Sequence, residues 1–302
     1  MTEGFQGLAF GAMQFGTTAD LQAAAAMVEA CLAAGVSDFD TAHGYGAGAS
    51  ERMLGTLLRG VPGVRIATKA GYIGGAGRTN LLAQLEESLE RIGLPVDLWY
   101  LHRFDPETPL EETVGVMVEA KAQGLVRRIG LSNLAAWQVM KAQGIAAGLG
   151  GRFDAIQPMY SAVKRQAEVE LLPMAMDQGL QVFGYSPLGA GLLSGKYALG
   201  GEGRLTADAR YAQRYAGVPV GVDVAFARLA AEAGLHPVTL AVSWVLAHPA
   251  RVVPIVSARE AEQLAPALAA AQVRLDPALH AAVAALVPAP PPATDRSEEA
   301  PG

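Results

Sequence analysis

Two kinds of apolar pattern alternate along the chain. Short runs of consecutive apolar residues predict buried strands, and longer segments with an apolar residue at every third or fourth position predict amphipathic helices. The predicted strands cover residues 8–10, 36–40, 64–68, 98–101, 126–131, 153–156, 180–183 and 252–255. Predicted helices follow them at residues 20–35, 49–58, 79–92, 110–123, 135–147, 167–177, 222–233, 239–247 and 260–271.

Eight strand and helix units in succession predict an α/β fold. Joined by right-handed crossovers, they close into a single (β/α)8 or TIM barrel, which we expect over residues 1–287. Residues 189–221 interrupt the alternation with glycines, tyrosines and arginines, so we expect a long loop after the seventh strand that folds over a bound ligand. A last, C-terminal helix is predicted at 277–286, and the Pro-rich stretch 288–302 is expected to be a disordered tail.

Composition narrows the class of protein. Apolar residues make up 51% of the 302 residues and charged residues 17%, which is ample material for a large core. The net charge of -6, without any cluster of lysine and arginine, argues against nucleic acid as a partner. Cys31 is the only cysteine and lies in a helical apolar pattern, so we expect a packed thiol, no disulfide and a reducing, cytoplasmic location.

Neither a secretory signal nor a membrane span is expected. The first seven residues contain no basic segment followed by an apolar one. The longest apolar region, residues 239–258, is interrupted by His248, Arg251 and two prolines, which divide it into a helix and a strand. We therefore expect a protein that does not bind membranes.

Four polar residues stand at or just after the ends of successive predicted strands. Asp40 and Tyr45 follow the second strand, Lys69 the third and His102 the fourth. In a (β/α)8 barrel, the loops at the carboxyl ends of the strands build the active site, so these side chains are expected to converge. Taken alone, Asp40 and Lys69 could instead form a structural ion pair without a catalytic role.

This set of residues resembles the aldo-keto reductases, whose four active-site residues occupy these places. The resemblance covers residues 8–268 and is closest to the aflatoxin-aldehyde reductase branch. The motifs that carry it are Leu131-Ser132-Asn133, Met159-Tyr160, Arg165-Gln166 and Gly191-Leu192-Leu193-Ser194-Gly195-Lys196-Tyr197. It implies an NADPH-dependent reductase of aldehydes, with ketones and dicarbonyls as further candidates, that lacks a Rossmann fold.

The resemblance gives each of the four residues a role. Tyr45 would donate a proton to the carbonyl oxygen, on which negative charge develops as hydride adds to the carbon. Lys69 would favour the ionised phenol and so lower the pKa of Tyr45, while Asp40 would balance the charge of the buried lysine. His102 would orient the carbonyl. The other histidines lack ligand companions at suitable spacing, so no metal is expected.

The family's cofactor residues fall on a further set of positions. Ser132, Asn133 and Gln157 would hold the nicotinamide carboxamide, and Tyr185 would stack on its ring. Arg259 would hold the 2′-phosphate, which makes NAD the less favoured cofactor. Ser257 and Ala267 depart from the family's glycine and asparagine. The complete set is Gly11, Met13, Ser132, Asn133, Gln157, Tyr185, Ser186, Leu188, Gly189, Gly191, Lys196, Arg259 and Gln263.

Two other functions remain open at this point. Channel-associated members of the family bind NADP and act as regulatory or redox-sensing subunits with little turnover, and an intact set of four residues does not exclude that role. A phosphate-binding isomerase barrel would explain the fold but not the four polar residues. We expect a monomer or weak homo-oligomer whose small carbonyl substrate lies against apolar and aromatic side chains, with arginines that can accept a carboxylate. These are Phe15, Tyr72, Phe104, Met159, Tyr211 and Tyr215, with Arg103, Arg210 and Arg214.

Overall fold

The computed structural model describes residues 7–294, apart from the side chain of Leu199, and contains one closed barrel of eight parallel strands. This confirms the predicted (β/α)8 fold. The strands are β1 (Ala9–Gly11), β2 (Asp38–Asp40), β3 (Arg65–Ala70), β4 (Val96–Leu101), β5 (Val126–Ser132), β6 (Ala155–Gln157), β7 (Gln181–Tyr185) and β8 (Val253–Val256).

Each strand pairs in parallel with the next, and β8 pairs with β1 to close the barrel. The register places Asp40 opposite Ala67 on β3, and Lys69 opposite Tyr100 on β4. Because all strands run in the same direction, their carboxyl ends meet at one mouth of the barrel. The residues that end β2, β3 and β4 are therefore neighbours in space.

Twelve α-helices surround or extend the barrel in the described part of the chain. Most begin and end within a few residues of the predicted positions. Helix α6 starts late, because residues Gln166–Glu168 form a separate 3₁₀ turn. The helices are α1 (Leu21–Ala33), α2 (Ala49–Leu57), α3 (Arg78–Ile92), α4 (Leu110–Ala122), α5 (Ala136–Gly148), α6 (Leu171–Gln178), α7 (Arg204–Ala207), α8 (Ala209–Tyr215), α9 (Val222–Glu232), α10 (Pro237–Leu246), α11 (Ala261–Ala269) and α12 (Pro277–Ala284).

The apolar core has two parts. A small cluster fills the interior of the barrel, where Leu98, Phe183 and Ile255 are buried. A much larger cluster lies between the strands and the surrounding helices and includes Phe10, Trp99 and Trp244. Cys31 belongs to this outer layer, and burial raises the pKa of its thiol to about 12, in agreement with the expected packed residue.

The segment 189–221 lies outside the barrel strands, as expected, but it is not an irregular loop. It contains α7, α8 and two 3₁₀ turns. The Tyr197 hydroxyl accepts from the backbone N–H of Leu205, 3.1 Å away, and Asp208 caps α8 by accepting from the N–H of Arg210 at 2.9 Å. Local capping contacts of this kind stabilise short helices in a segment whose glycines otherwise disfavour helix formation.

Two further expectations concern membrane spans and the tail. Among the described residues, no single helix has the length and apolar composition to cross a membrane; only α9 and α10 taken together reach them, with a 90° bend between the two. The predicted disordered tail begins at residue 288, and the described part of it, 288–294, contains no helix or strand. The remainder of the tail, 295–302, lies outside the described residues.

Two glycines inside helices give a matched test of how closely the helices around the barrel pack against one another. A Cβ on Gly55 of α2 would lie 2.1 Å from the backbone oxygen of Ile92, whereas a Cβ on Gly115 of α4 would have no atom within 4 Å. Gly55→Ala should therefore lower the free energy of unfolding by about 1–3 kcal/mol. Gly115→Ala should raise it by roughly 0.4–1 kcal/mol through helix propensity and unfolded-state entropy. Urea denaturation measures both; a Gly55→Ala protein as stable as the parent would contradict the close α2–α3 contact.

Candidate active site

Lys69 is the centre of the mouth of the barrel. Its side chain is only 1% exposed, and its ammonium group forms an ion pair with Asp40 of the neighbouring strand. It also donates to the backbone oxygen of Thr41, 2.7 Å away. Removing a lysine charge from water is expensive unless such partners replace the water. The last residue of β2, Asp40, and the residue that follows it, Thr41, supply both of them.

Asp40 is bonded on both carboxylate oxygens. Oδ1 accepts from Lys69, and Oδ2 accepts from Nε2 of Gln157, 2.8 Å away. Gln157 ends β6, so this contact links two strands that are not adjacent in the barrel. A buried carboxylate with two donors keeps a fixed position relative to the lysine.

Tyr45 lies in a 3₁₀ turn, Tyr45–Gly48, directly after β2. The turn contains left-handed backbone at Gly46 and Ala47, with φ of 55° and 51°. A Cβ on Gly46 would approach the backbone oxygen of Phe15 to 3.0 Å, so the tight path favours glycine there. This path places the Tyr45 ring centroid 5.2 Å from Nζ of Lys69 and 5.8 Å from the ring of His102.

The protonation of Tyr45 and Lys69 follows from burial and mutual contact. Burial raises the pKa of Tyr45, the Lys69 charge lowers it and Asp40 raises it; the net shift is upward. Burial lowers the pKa of Lys69, but Asp40 and Tyr45 outweigh it, and the net shift is again upward. Lys69 therefore lowers the pKa of Tyr45, as expected, but burial is the larger effect and leaves the net pKa above its usual value. Both groups carry their protons at neutral pH.

His102 follows β4 and remains uncharged. Its backbone N–H donates to the oxygen of Ala70, 2.8 Å away, which fixes the residue at the mouth. Burial, together with the charges of Lys69 and Arg103, lowers the pKa of His102 to about 3. A neutral imidazole can donate one hydrogen bond, but it does not act as a strong acid at neutral pH.

The residues assigned by resemblance to the nicotinamide end lie beside this cluster. Oγ of Ser132 donates to the backbone oxygen of Gln157 at 3.0 Å, and Nδ2 of Asn133 donates to the backbone oxygen of His102 at 3.0 Å. The Tyr185 hydroxyl donates to Oδ1 of Asn133 at 2.5 Å. Asn133 itself has left-handed backbone, with φ of 60°. The structure thus brings Ser132, Asn133, Gln157 and Tyr185 together with Asp40, Lys69 and His102.

The turn after β7 carries the next group of predicted residues. Its backbone is left-handed at Ser186, Gly189 and Gly191, with φ of 59°, 55° and 92°. A Cβ on Gly191 would come within 2.9 Å of Cε of Lys196, so this lysine lies directly over the glycine. Leu188 is half-buried and accepts backbone hydrogen bonds from within the same turn. Ser186, Leu188, Gly189, Gly191 and Lys196 therefore form one compact unit.

Gly11, Met13, Arg259 and Gln263 share no side-chain hydrogen bond or ion pair with the four-residue cluster among the described residues. Gly11 ends β1 and Met13 is half-buried just after it. Arg259 is exposed immediately before α11, and its backbone N–H donates to Oε1 of Gln263, 2.9 Å away. Ala267 is buried in the core. Gln263 thus has a visible structural role as a cap, beside the role expected from the resemblance.

Comparisons with known proteins identify the family of the chain. Residues 7–288 match the sequence model of the Aldo/keto reductase family. The chain belongs to this family. Aflatoxin B1 aldehyde reductase member 2 of Mus musculus is 41% identical over 195 residues, which are 62% of this chain and 53% of the mouse protein. This aldo/keto reductase chain therefore spans about half the length of that mammalian relative.

Two other relatives match over greater lengths. The uncharacterized oxidoreductase YrpG of Bacillus subtilis (strain 168) is 32% identical over 292 residues, 89% of this chain and 88% of the bacterial protein. A probable voltage-gated potassium channel subunit beta of Oryza sativa subsp. japonica is 32% identical over 269 residues, 80% of each chain.

The rim of the mouth differs in part from the expected pocket wall. Phe15 is fully buried in the core and does not line an open pocket. Tyr72 is exposed, its ring centroid is 4.9 Å from that of His102, and the Arg103 guanidinium lies 4.7 Å above it. Arg214 lies 5.1 Å from the Tyr211 ring. Arginine and aromatic side chains thus border the mouth in pairs.

One contact of the site could not be expected from side-chain patterns. The oxygen that Thr41 contributes to Lys69 belongs to the backbone, so any residue at that position would supply it. Its hydroxyl has a separate role, since it hydrogen bonds Oγ of Ser50 at 2.7 Å and ties β2 to α2. The only sequence feature that points to Thr41 is its position directly after Asp40.

The neutral state of His102 has a testable pH dependence. An unfolded histidine has a pKa near 6.5, whereas the folded value is about 3, so this group makes folding progressively less favourable as the pH falls from about 6.5 towards 3. Above pH 6.5 it has no such effect. The imidazole carbon-bound proton signals, assigned by their absence from His102→Asn, should stay constant in NMR spectra between pH 8 and pH 5. A titration midpoint near 6.5 would show that the ring is hydrated and chargeable.

Proposed function

We propose that this chain is an NADPH-dependent reductase that transfers a hydride to the carbonyl carbon of aldehydes, with ketones and dicarbonyls as further substrates, and that Tyr45 donates the proton. The observation that carries the proposal is the buried Asp40–Lys69 ion pair placed against the protonated Tyr45 phenol. The names of relatives, an aflatoxin B1 aldehyde reductase and a versiconal hemiacetal acetate reductase, support the same reaction class.

The side chains of the site would have separate roles at the carbonyl oxygen of the substrate. Negative charge grows on that oxygen as its carbon is reduced, and a nearby acid stabilises it by giving up a proton. Tyr45 holds a proton at neutral pH, and the Lys69 charge stabilises the phenolate left behind. His102, being neutral, donates a hydrogen bond that orients the carbonyl. The Asp40 carboxylate offsets the charge of Lys69 both before and after Tyr45 gives up its proton.

The residues around the cluster fit a nicotinamide dinucleotide. Asn133 and Gln157 would hold the carboxamide, Tyr185 offers a flat ring whose hydroxyl is already bonded, and the turn of Ser186 to Gly191 with Lys196 offers left-handed backbone and a cation for the diphosphate. Gly11, Met13 and Gln263 complete the expected set. When bound, NADPH would supply the hydride.

A second function is kept because one relative favours it. The rice relative is named as a probable potassium channel subunit beta, and it matches 80% of this chain. An NADP-binding regulatory subunit with little turnover could use the same fold and the same four residues. Reductase activity is the first proposal because the phenol, the neutral imidazole and the paired lysine together form a proton-donating site.

Substitution of Tyr45 and Lys69 tests the assigned roles. Tyr45→Phe keeps the ring and removes the acid, so turnover should fall by about 10² to 10⁴, the usual contribution of a positioned general acid. Lys69→Met should fall comparably, and the double variant should be little slower than Tyr45→Phe, because the lysine acts through the phenol. Steady-state kinetics measure this, and fluorescence titration should show nearly native NADPH affinity for the single variants.

A control for the loss of a buried hydroxyl is at hand. Tyr160 is buried, and its hydroxyl donates to Glu168 at 2.7 Å, away from the cluster. Tyr160→Phe should keep nearly native turnover. If Tyr45→Phe also retained most of its turnover with a good aldehyde, the proton would come from another group and the proposal for Tyr45 would fail.

Arg259 tests the choice of cofactor. A guanidinium beside the start of a helix can bond a phosphate dianion that NADH lacks. Arg259→Ala should therefore weaken NADPH binding by about 1.5–3 kcal/mol, the range of hydrogen bonds to charged groups, and leave NADH binding almost unchanged. Isothermal titration with both cofactors gives the answer. Equal losses for NADPH and NADH would remove Arg259 from the phosphate site.

A further inference from the structure

The side chain of Arg91 contacts the turn that carries Tyr45 and hydrogen bonds to the backbone beside it. Nη1 of Arg91, in the last turn of α3, donates to the backbone oxygen of His43 at 3.3 Å. The guanidinium lies directly against Gly48, where a Cβ would come within 2.8 Å of Cζ. Arg91 therefore contacts this turn on both sides of Tyr45.

Glu51 connects Arg91 to the strand that carries Lys69. Its carboxylate has no exposed surface, and it accepts from Nη1 of Arg91 at 3.3 Å and from the hydroxyl of Thr68 at 2.6 Å. Thr68 directly precedes Lys69 on β3. One buried carboxylate thus joins the arginine that holds the Tyr45 turn to the strand that presents the lysine.

The turn needs such support because its backbone is strained. Ala47 has a φ of 51°, in the left-handed region that residues with a Cβ rarely adopt. Additional contacts hold the same turn. Arg52 donates to the oxygen of Ala47 at 3.1 Å, and Glu87 bonds both Arg91 and Nε2 of His43, the latter at 2.9 Å.

We propose that the buried Glu51–Arg91 pair is a positioning clamp that sets the distance between the Tyr45 phenol and the Lys69 ammonium. Neither residue contacts a reacting atom. The clamp acts by holding the Tyr45 turn to the β3 strand, and it rests on the proposed reductase function in so far as the distance matters for turnover. A displacement of about 1 Å in such a pair can cost as much as a hundredfold in rate.

The test compares two arginine to lysine substitutions. Arg91→Lys keeps the charge but loses the planar guanidinium, whose Nη1 donates to Glu51 and His43 while its Nη2 donates to Glu87. The matched control is Arg165→Lys, because Arg165 is similarly buried, pairs with Glu168 and donates to the backbone oxygen of Ala284 at 3.0 Å, away from Tyr45. Arg91→Lys should lower kcat by roughly tenfold to a hundredfold and leave KM for the aldehyde within about twofold. Arg165→Lys should leave both constants within about twofold.

A second measurement needs no catalysis. In cofactor-free protein with labelled tyrosine, the Tyr45 ring signals, assigned by their absence from Tyr45→Phe, should shift in Arg91→Lys and stay in place in Arg165→Lys. Glu51→Gln, which can still accept from Thr68, should shift the same signals and serves if Arg91→Lys does not fold. Unmoved Tyr45 signals in the folded variants, or equal losses of kcat in both lysine variants, would overturn the clamp. Shifted signals in a chain that reduces no aldehyde would leave the clamp standing and reject the reductase function instead.

Discussion

A lysine ammonium held in the barrel interior dictates the arrangement of the site. Lys69 is only 1% exposed, and so its charge depends on Asp40 and the Thr41 oxygen for the stabilisation that water would otherwise give. Leaving either charge of a buried pair without its partner typically costs about 3–5 kcal/mol, so the two residues constrain each other. Gln157 then holds the second oxygen of Asp40 from across the barrel. Three strand ends are fixed by this one charge.

Burial, more than the lysine charge, sets the protonation of the two rings beside Lys69. Burial lowers the pKa of His102, the charges of Lys69 and Arg103 lower it further, and the imidazole stays neutral. Burial keeps the Tyr45 phenol protonated in spite of the lysine. At neutral pH the phenol is therefore protonated and the imidazole uncharged, which is the state that their proposed roles require. Binding of a nicotinamide dinucleotide would change the surroundings of both rings, and the direct effect of Lys69 on Tyr45 would remain downward.

Much of the fold was accessible from the sequence because each strand of a (β/α)8 barrel is a short apolar run followed by an amphipathic helix. The finer packing was less accessible. On α3, Leu81, Leu85 and Ile92 lie in the core, whereas Leu82 and Leu89 are only partly buried. Neighbouring leucines make the phase of that helix ambiguous, and the contact with the barrel decides it.

The candidate site shows the same division. Asp40, Lys69 and His102 could be predicted to converge because each one lies at or just after the carboxyl end of a strand. The contacts of Glu51 with Arg91 could not, since the two residues are 40 positions apart on different helices and resemble ordinary surface charges in the sequence. The Thr41 oxygen left no side-chain signal, and the short helices in 189–221 depend on contacts such as that of Tyr197 with Leu205.

The central claim is that this buried pair and its phenol form a catalytic site and not a cofactor-sensing one. Its most direct test is the steady-state oxidation of NADPH by the unmodified chain in the presence of a simple aldehyde, with the alcohol product quantified in parallel. The account predicts sustained turnover, with NADPH consumed in large molar excess over protein and alcohol formed mole for mole. Tight NADPH binding with oxidation that stops at one equivalent per chain, across a panel of aldehydes and dicarbonyls, would contradict it.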